Sequence, residues 1–166
     1  MKTISVNRFA QALFVIALLL APFNLSPAQA AATQEDVDYS TQVSALAQEF
    51  ATNVIAWGAA TANPPTLAFG RKYNAYKAKA LKTSEEVLAT ALKFKALTPS
   101  EGFPISGPLL LKASTAYETA VKGIKTAISK NDSKLMKKSN TQVLSATSAY
   151  SKWSIAYAAE VKALNG

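Results

Sequence analysis

Apolar side chains return along this chain at intervals of three and four residues, and no stretch keeps the interval of two that a strand would show. Val43, Ala47, Phe50, Val54 and Trp57 follow one another in this way. Such steps return to the same side of a helix, so the run predicts a helix over about 34–59 with one buried seam. Thr33 stands where an N-cap belongs. Glu35, Asp36 and Asp38 follow it, where carboxylates oppose the positive end of the helix dipole. Glu35 and Asp38 share a face and could offer a weak cation site, but capping accounts for these acids more simply. Asn63-Pro64-Pro65 closes the segment, because proline has no N–H and pushes the residue before it out of helical geometry.

A second helix is predicted over about 66–97, with Phe69, Tyr73, Tyr76, Ala80, Val87 and Ala91 directed inward. Gly70 should loosen its first turn. Arg71, Lys72, Lys77, Lys79, Lys82, Lys93 and Lys95 scatter around its outside without forming a stripe, as a solvated face would. The segment 98–108 holds three prolines and two glycines and reads as a connector. Phe103 and Ile105 are expected to cover one end of the core, with Ser106 capping the next helix and Pro108 in its first turn. Gly102 and Gly107 have phosphate-loop spacing, but Pro108-Leu109 replaces the Lys-Ser/Thr that would hold phosphate and metal.

Leu110, Ala113, Tyr117, Val121, Ile124 and Ile128 define a third helix ending near Lys130. Asn131-Asp132-Ser133 is a tight turn, with Asp132 or Ser133 capping a fourth helix over about 134–164. Ala146, Tyr150, Trp153, Tyr157, Val161 and Leu164 share one face of that helix. The same turn is an Asn-x-Ser sequon, so Asn131 is a glycosylation site if the source is eukaryotic. Four long helices with short links predict an all-α fold, a single antiparallel up-down bundle over 31–166.

The first thirty residues follow a different logic. Lys2 and Arg8 precede the apolar run 12–21, and Pro22, Pro27 and Ala28-Gln29-Ala30 follow it. This order is that of a signal peptide over 1–30, cleaved after Ala30. A ten-residue helix reaches only about 15 Å, half of a bilayer's roughly 30 Å core, so a permanent span is disfavoured. The mature chain is expected to lack a transmembrane segment and to be secreted or held in the cell envelope, in the periplasm if the source is Gram-negative.

Removing thirty residues from 166 leaves 136, enough for one domain with its own core. The chain has no cysteine and no histidine. Disulfides, Cys/His zinc sites, His-ligated haem and the Ser-His-Asp triad are therefore excluded, and no cofactor or metal is expected. Glu85 and Glu86 are adjacent and diverge by about 100° on a helix, so they cannot act as a catalytic pair. No Gly-x-Ser-x-Gly or Ser-x-x-Lys motif is present. The expectation is a protein that is not an enzyme. Positions 31–60 hold four acids and no base, whereas 61–166 hold sixteen bases and six acids. A basic body suits acidic polymers or anionic lipid, although solubility alone would explain it. Export argues against nucleic acid.

The aromatic residues Phe50, Trp57, Tyr73, Tyr76, Tyr150, Trp153 and Tyr157 are the candidate ligand-binding set. They could line an apolar slot between helices, with tyrosine hydroxyls as its few polar anchors. An ordinary core of interdigitating large and small side chains is the plain alternative.

The acidic first helix ending in Trp57-Gly58, the segment Ala96–Leu109 and the Ala/Ser/Thr/Lys-rich helix ending in Ser129-Lys130 carry a resemblance. In this pattern the chain resembles the fungal hydrophobic surface-binding and cell-wall galactomannoprotein family over about 36–162. The resemblance implies a secreted helical bundle that binds apolar surfaces or fatty-acid-like ligands without catalysis. The Tyr/Trp content and the Pro64-Pro65 pair depart from that family. Two expectations follow. The first is a non-catalytic bundle binding an apolar, lipid-like ligand or hydrophobic surface. The second is an envelope structural or adaptor protein whose basic surface engages acidic polysaccharide, anionic lipid or a protein partner.

Overall fold

The computed structural model describes residues 32–66 and 69–165. The leader at 1–30 and its cleavage site lie outside the described residues. Four helices follow one another: α1 (Gln34–Thr61), α2 (Gly70–Ala96), α3 (Ser106–Lys130) and α4 (Ser133–Leu164). No strand occurs among the described residues, and the helices pack as an all-α bundle.

The helix ends follow local chemistry. Thr33 closes a full capping box: its hydroxyl accepts the Asp36 N–H at 3.2 Å, and Asp36 accepts the Thr33 N–H at 2.9 Å. Asp132, not Ser133, caps α4 by accepting the Lys134 and Leu135 N–H groups. Asn131 takes the left-handed conformation at the end of α3, with φ 53°, and is exposed at the turn. Ser106 does not cap α3. It is the first residue of the helix, with its hydroxyl buried. The Glu160 carboxylate on α4 supplies the cap instead, accepting the Ile105 and Ser106 N–H groups at 2.7 and 3.0 Å. A carboxylate more than fifty residues away replaces the local hydroxyl, and no local pattern could have announced it.

Contacts between neighbouring helices fix an antiparallel register. Glu49, Asn53 and Trp57 on α1 meet Lys93, Thr90 and Ser84 on α2. Glu85 and Lys95 on α2 meet Lys125 and Glu118 on α3. Tyr117 on α3 meets Thr147 on α4. The backbones of consecutive helices lie close together, and Gly123 is what allows it between α3 and α4, since a Cβ there would run into the Ser139 side chain. The closing pair, α1 and α4, stands further apart in its backbones and is joined by rings, Phe50 against Tyr150, and by the Ser40–Tyr157 hydrogen bond at 2.7 Å.

The register leaves one segment largely outside the packing of the other described helices. The Trp57–Ser84 pair brings the end of α1, Thr61, level with Ala80, and the Lys125–Glu85 pair brings the end of α3, Lys130, to the same level. Ala80 is also the first buried residue of α2. The ten residues Gly70–Lys79 therefore stand beyond the bundle as a helical spur about 15 Å long.

Candidate functional site

The candidate aromatic residues separate into two places. Phe50, Trp57, Tyr150, Trp153 and Tyr157 are all buried. Most of them belong to a continuous column of rings running from Tyr39 through Phe103, Tyr157, Trp153 and Tyr150 to Phe50, with successive centroids 4.7–5.6 Å apart. Phe94 and Tyr117 join it edge-on at Phe50. Trp57 is buried in the same core, its indole N–H donating to Ser84 Oγ at 2.9 Å. Ring pairs of this kind add about 0.5–1.5 kcal/mol each beyond area burial, so the column is a principal tie between α1 and α4.

Tyr39, Phe94, Phe103 and Tyr117 complete the column, and none of them is among the seven candidates. The first two were legible: Tyr39 lies four residues before Val43, and Phe94 lies three after Ala91. Phe103 covers the end of the core as expected, fully buried, but Ile105 beside it is 62% exposed. Glu160 holds the backbone at Ile105 and Ser106, and the Ile105 side chain stays outside.

Tyr73 and Tyr76 are not part of that interior. They pair on the spur with centroids 6.2 Å apart, Tyr76 leaning on the edge of the core and Tyr73 half-exposed. Phe69, also expected inward, is 71% exposed. The three-and-four spacing is real, but α1 and α3 stop before they reach these positions.

Three polar atoms in the aromatic interior have no hydrogen-bond partner: Tyr39 Oη, Tyr150 Oη and Trp153 Nε1. Burial pushes the Tyr39 and Tyr150 phenols well above their ordinary value. Burial also raises the Tyr117 phenol, to about 12, against the opposing hydrogen bond with Thr147. These phenols are neutral at physiological pH and do not act as bases there.

The charges show an order that the sequence hides. When each helix is divided at its middle, the half of the bundle bearing the spur and the α3–α4 turn holds eleven bases and two acids. The opposite half holds five bases and eight acids. In the acidic half, Glu85, Glu86 and Glu118 hold lysines, and Asp36 and Glu160 cap backbone. Glu118 bridges Lys95 and Lys122 at 2.6 Å each, and these bonds hold its carboxyl below the usual range. In the basic half, Arg71, Lys72, Lys79, Lys130, Lys134, Lys137 and Lys138 have no carboxylate within 4.0 Å among the described residues.

Among the described residues no group of three or more acids gathers where a metal ion could be held, and no helix is long and apolar enough to cross a membrane. An open groove of about 490 Å³ runs between α3 and α4, lined by Leu111, Lys112, Thr115 and Gln142 among others. It has no convergent set of charged or nucleophilic groups. Comparison with known protein families, curated proteins and solved structures finds no match for this chain.

Proposed function

We propose that the protein is a non-catalytic bundle that docks through its basic pole on an acidic surface of the cell envelope. The segregation of eleven bases into one half of the molecule carries this reading. A charge excess required only for solubility has no need to gather at one end, whereas a concentrated pole steers and orients the molecule against negative charge. The leader-like N-terminus would deliver the chain to such a surface.

The test compares two triple variants with the same change in net charge. Lys134→Gln, Lys137→Gln and Lys138→Gln together empty part of the pole; Lys112→Gln, Lys152→Gln and Lys162→Gln remove equal charge from the other half. Retention on an immobilised acidic polysaccharide should fall for the first variant and persist for the second. It should also fall as salt shortens the screening length from about 10 Å at 0.1 M to about 3 Å at 1 M. Equal retention of the two variants would reject the pole.

A second reading, uptake of an apolar ligand by the aromatic interior, is favoured by the unpartnered Tyr39, Tyr150 and Trp153 polar atoms. A ligand would enter between α1 and α4, whose backbones approach less closely than those of consecutive helices. It is the reading that the resemblance to the fungal surface-binding family would also support. Titration with a long-chain fatty acid, read by Trp153 fluorescence in a Trp57→Phe background, should saturate at one ligand per chain. No change up to the solubility limit would end it.

A further inference from the structure

We propose that the spur at residues 69–79 is a membrane foot: it seats the basic pole on an anionic lipid bilayer, with Phe69 entering the boundary between headgroups and acyl chains. This rests on the basic pole as the docking surface and names its partner.

The spur breaks the rules that govern the rest of the bundle. Phe69 is the most exposed large apolar side chain among the described residues, and it immediately precedes α2, past the level at which α1 and α3 end. Gly70, with φ +84°, takes a backbone conformation that side chains disfavour, and this turns the chain into the helix directly behind Phe69. No side chain caps α2, and its first turn carries Arg71 and Lys72 where carboxylates would be favoured. No carboxylate among the described residues lies within 4.0 Å of Arg71 or Lys72 to compensate this arrangement. A negatively charged surface facing the tip would compensate it.

The order of side chains suits a bilayer better than a soluble polyanion. Tyr73 and Tyr76 pair on the spur, Phe69 leads into it from extended backbone, and Arg71, Lys72 and Lys79 are exposed around it. Aromatic rings flanked by cations are favoured at the membrane interface, where rings leave water and cations meet lipid phosphate. A soluble acidic polymer would use the cations and leave Phe69 in water. Lys77 is tied back to the Ser129 carbonyl at 3.0 Å, linking the spur to the α3–α4 turn. Lys130 and Lys134 stand about 15 Å behind the tip at that turn, with Lys137 and Lys138 about one helical turn further back, and together they draw the pole toward the surface before contact.

Vesicle co-sedimentation tests this directly, with vesicles of phosphatidylcholine alone or mixed with phosphatidylglycerol, and a soluble acidic polysaccharide as the comparison. The protein should bind the anionic vesicles and not the neutral ones. Phe69→Ser, at a position too exposed to disturb the fold, should weaken vesicle binding about tenfold and leave polysaccharide binding unchanged. Because the chain has no cysteine, an environment-sensitive dye on Phe69→Cys reports insertion by itself. Its emission should shift to the blue on anionic vesicles, and a matched dye on Lys152→Cys should not.

If Phe69→Ser binds vesicles as the parent does, or if the dye at 69 stays in water, the membrane foot is overturned and the basic pole survives. Binding to polysaccharide without any binding to vesicles has the same meaning. Binding to neither overturns both.

Discussion

Asp36 Oδ1 accepts the Gly102 backbone N–H at 3.0 Å, so the first turn of α1 and the loop before α3 share one carboxylate. Oδ2 of the same group closes the capping box with Thr33. A residue that the sequence offers as a favourable dipole charge is thus the clasp that brings Phe103 over the end of the aromatic column. Gly102 belongs to the clasp, because a Cβ there would meet the Asp36 carboxylate. Asp36→Ala should cost about 1.5–3 kcal/mol, the usual range for hydrogen bonds to a charged group. Gly102→Ala should lower stability as well, since the short, held Asp36 side chain cannot step aside. Urea unfolding of the two variants measures both.

The same carboxylate sets the response to acid. Burial opposes ionisation of Asp36, but hydrogen bonds from Thr33 and Gly102 outweigh it and hold the carboxyl below its ordinary 3.8. A group with a lowered folded value contributes stability above its unfolded value and loses it as pH falls through the folded one. Glu118, lowered by Lys122 and Lys95, acts in the same direction. Melting temperature should therefore begin to fall below about pH 5 and drop further toward pH 3. Asp36→Asn should flatten that acid limb in thermal melts, and an unchanged slope would show that the clasp is not ionic.

The unpartnered hydroxyls make a sharper test of the interior. Tyr150→Phe deletes an oxygen with no partner and should leave stability unchanged or raise it. Tyr117→Phe deletes one that is hydrogen-bonded to Thr147 at 2.9 Å and should cost about 0.5–1.5 kcal/mol. Destabilisation by Tyr150→Phe would mean that its hydroxyl holds a water or ligand group, which favours the apolar-ligand reading.

Close approach of α3 and α4 depends on Gly123 facing Ser139, whose buried hydroxyl has no partner. Gly123→Ala should destabilise by about 1–3 kcal/mol, as overpacking does. Ser139→Ala removes the atom that the new methyl would meet. It should be close to neutral alone and should restore part of the loss in the double variant. A double variant no better than Gly123→Ala would place the obstruction elsewhere.

What the sequence determined is the set of helices and their inner seams. Three-and-four spacing, the Thr33 and Asp132 caps, the Pro64-Pro65 stop and the 98–108 connector are local properties, and a helix reads its own turn-by-turn chemistry. The seams of α1, α3 and α4 are accordingly buried almost residue for residue. The tertiary structure decided what depends on where helices end relative to one another. Phe69, Tyr73 and Tyr76 continue an apolar spacing, yet they lie past the ends of α1 and α3, so the same pattern that buries Val87 and Ala91 leaves Phe69 in the open. Periodicity specifies a face, and only a neighbouring helix supplies something to bury it against. Likewise the bases of residues 71–82 and 122–138 are forty or more positions apart in the chain, and it is antiparallel packing that folds them onto one pole.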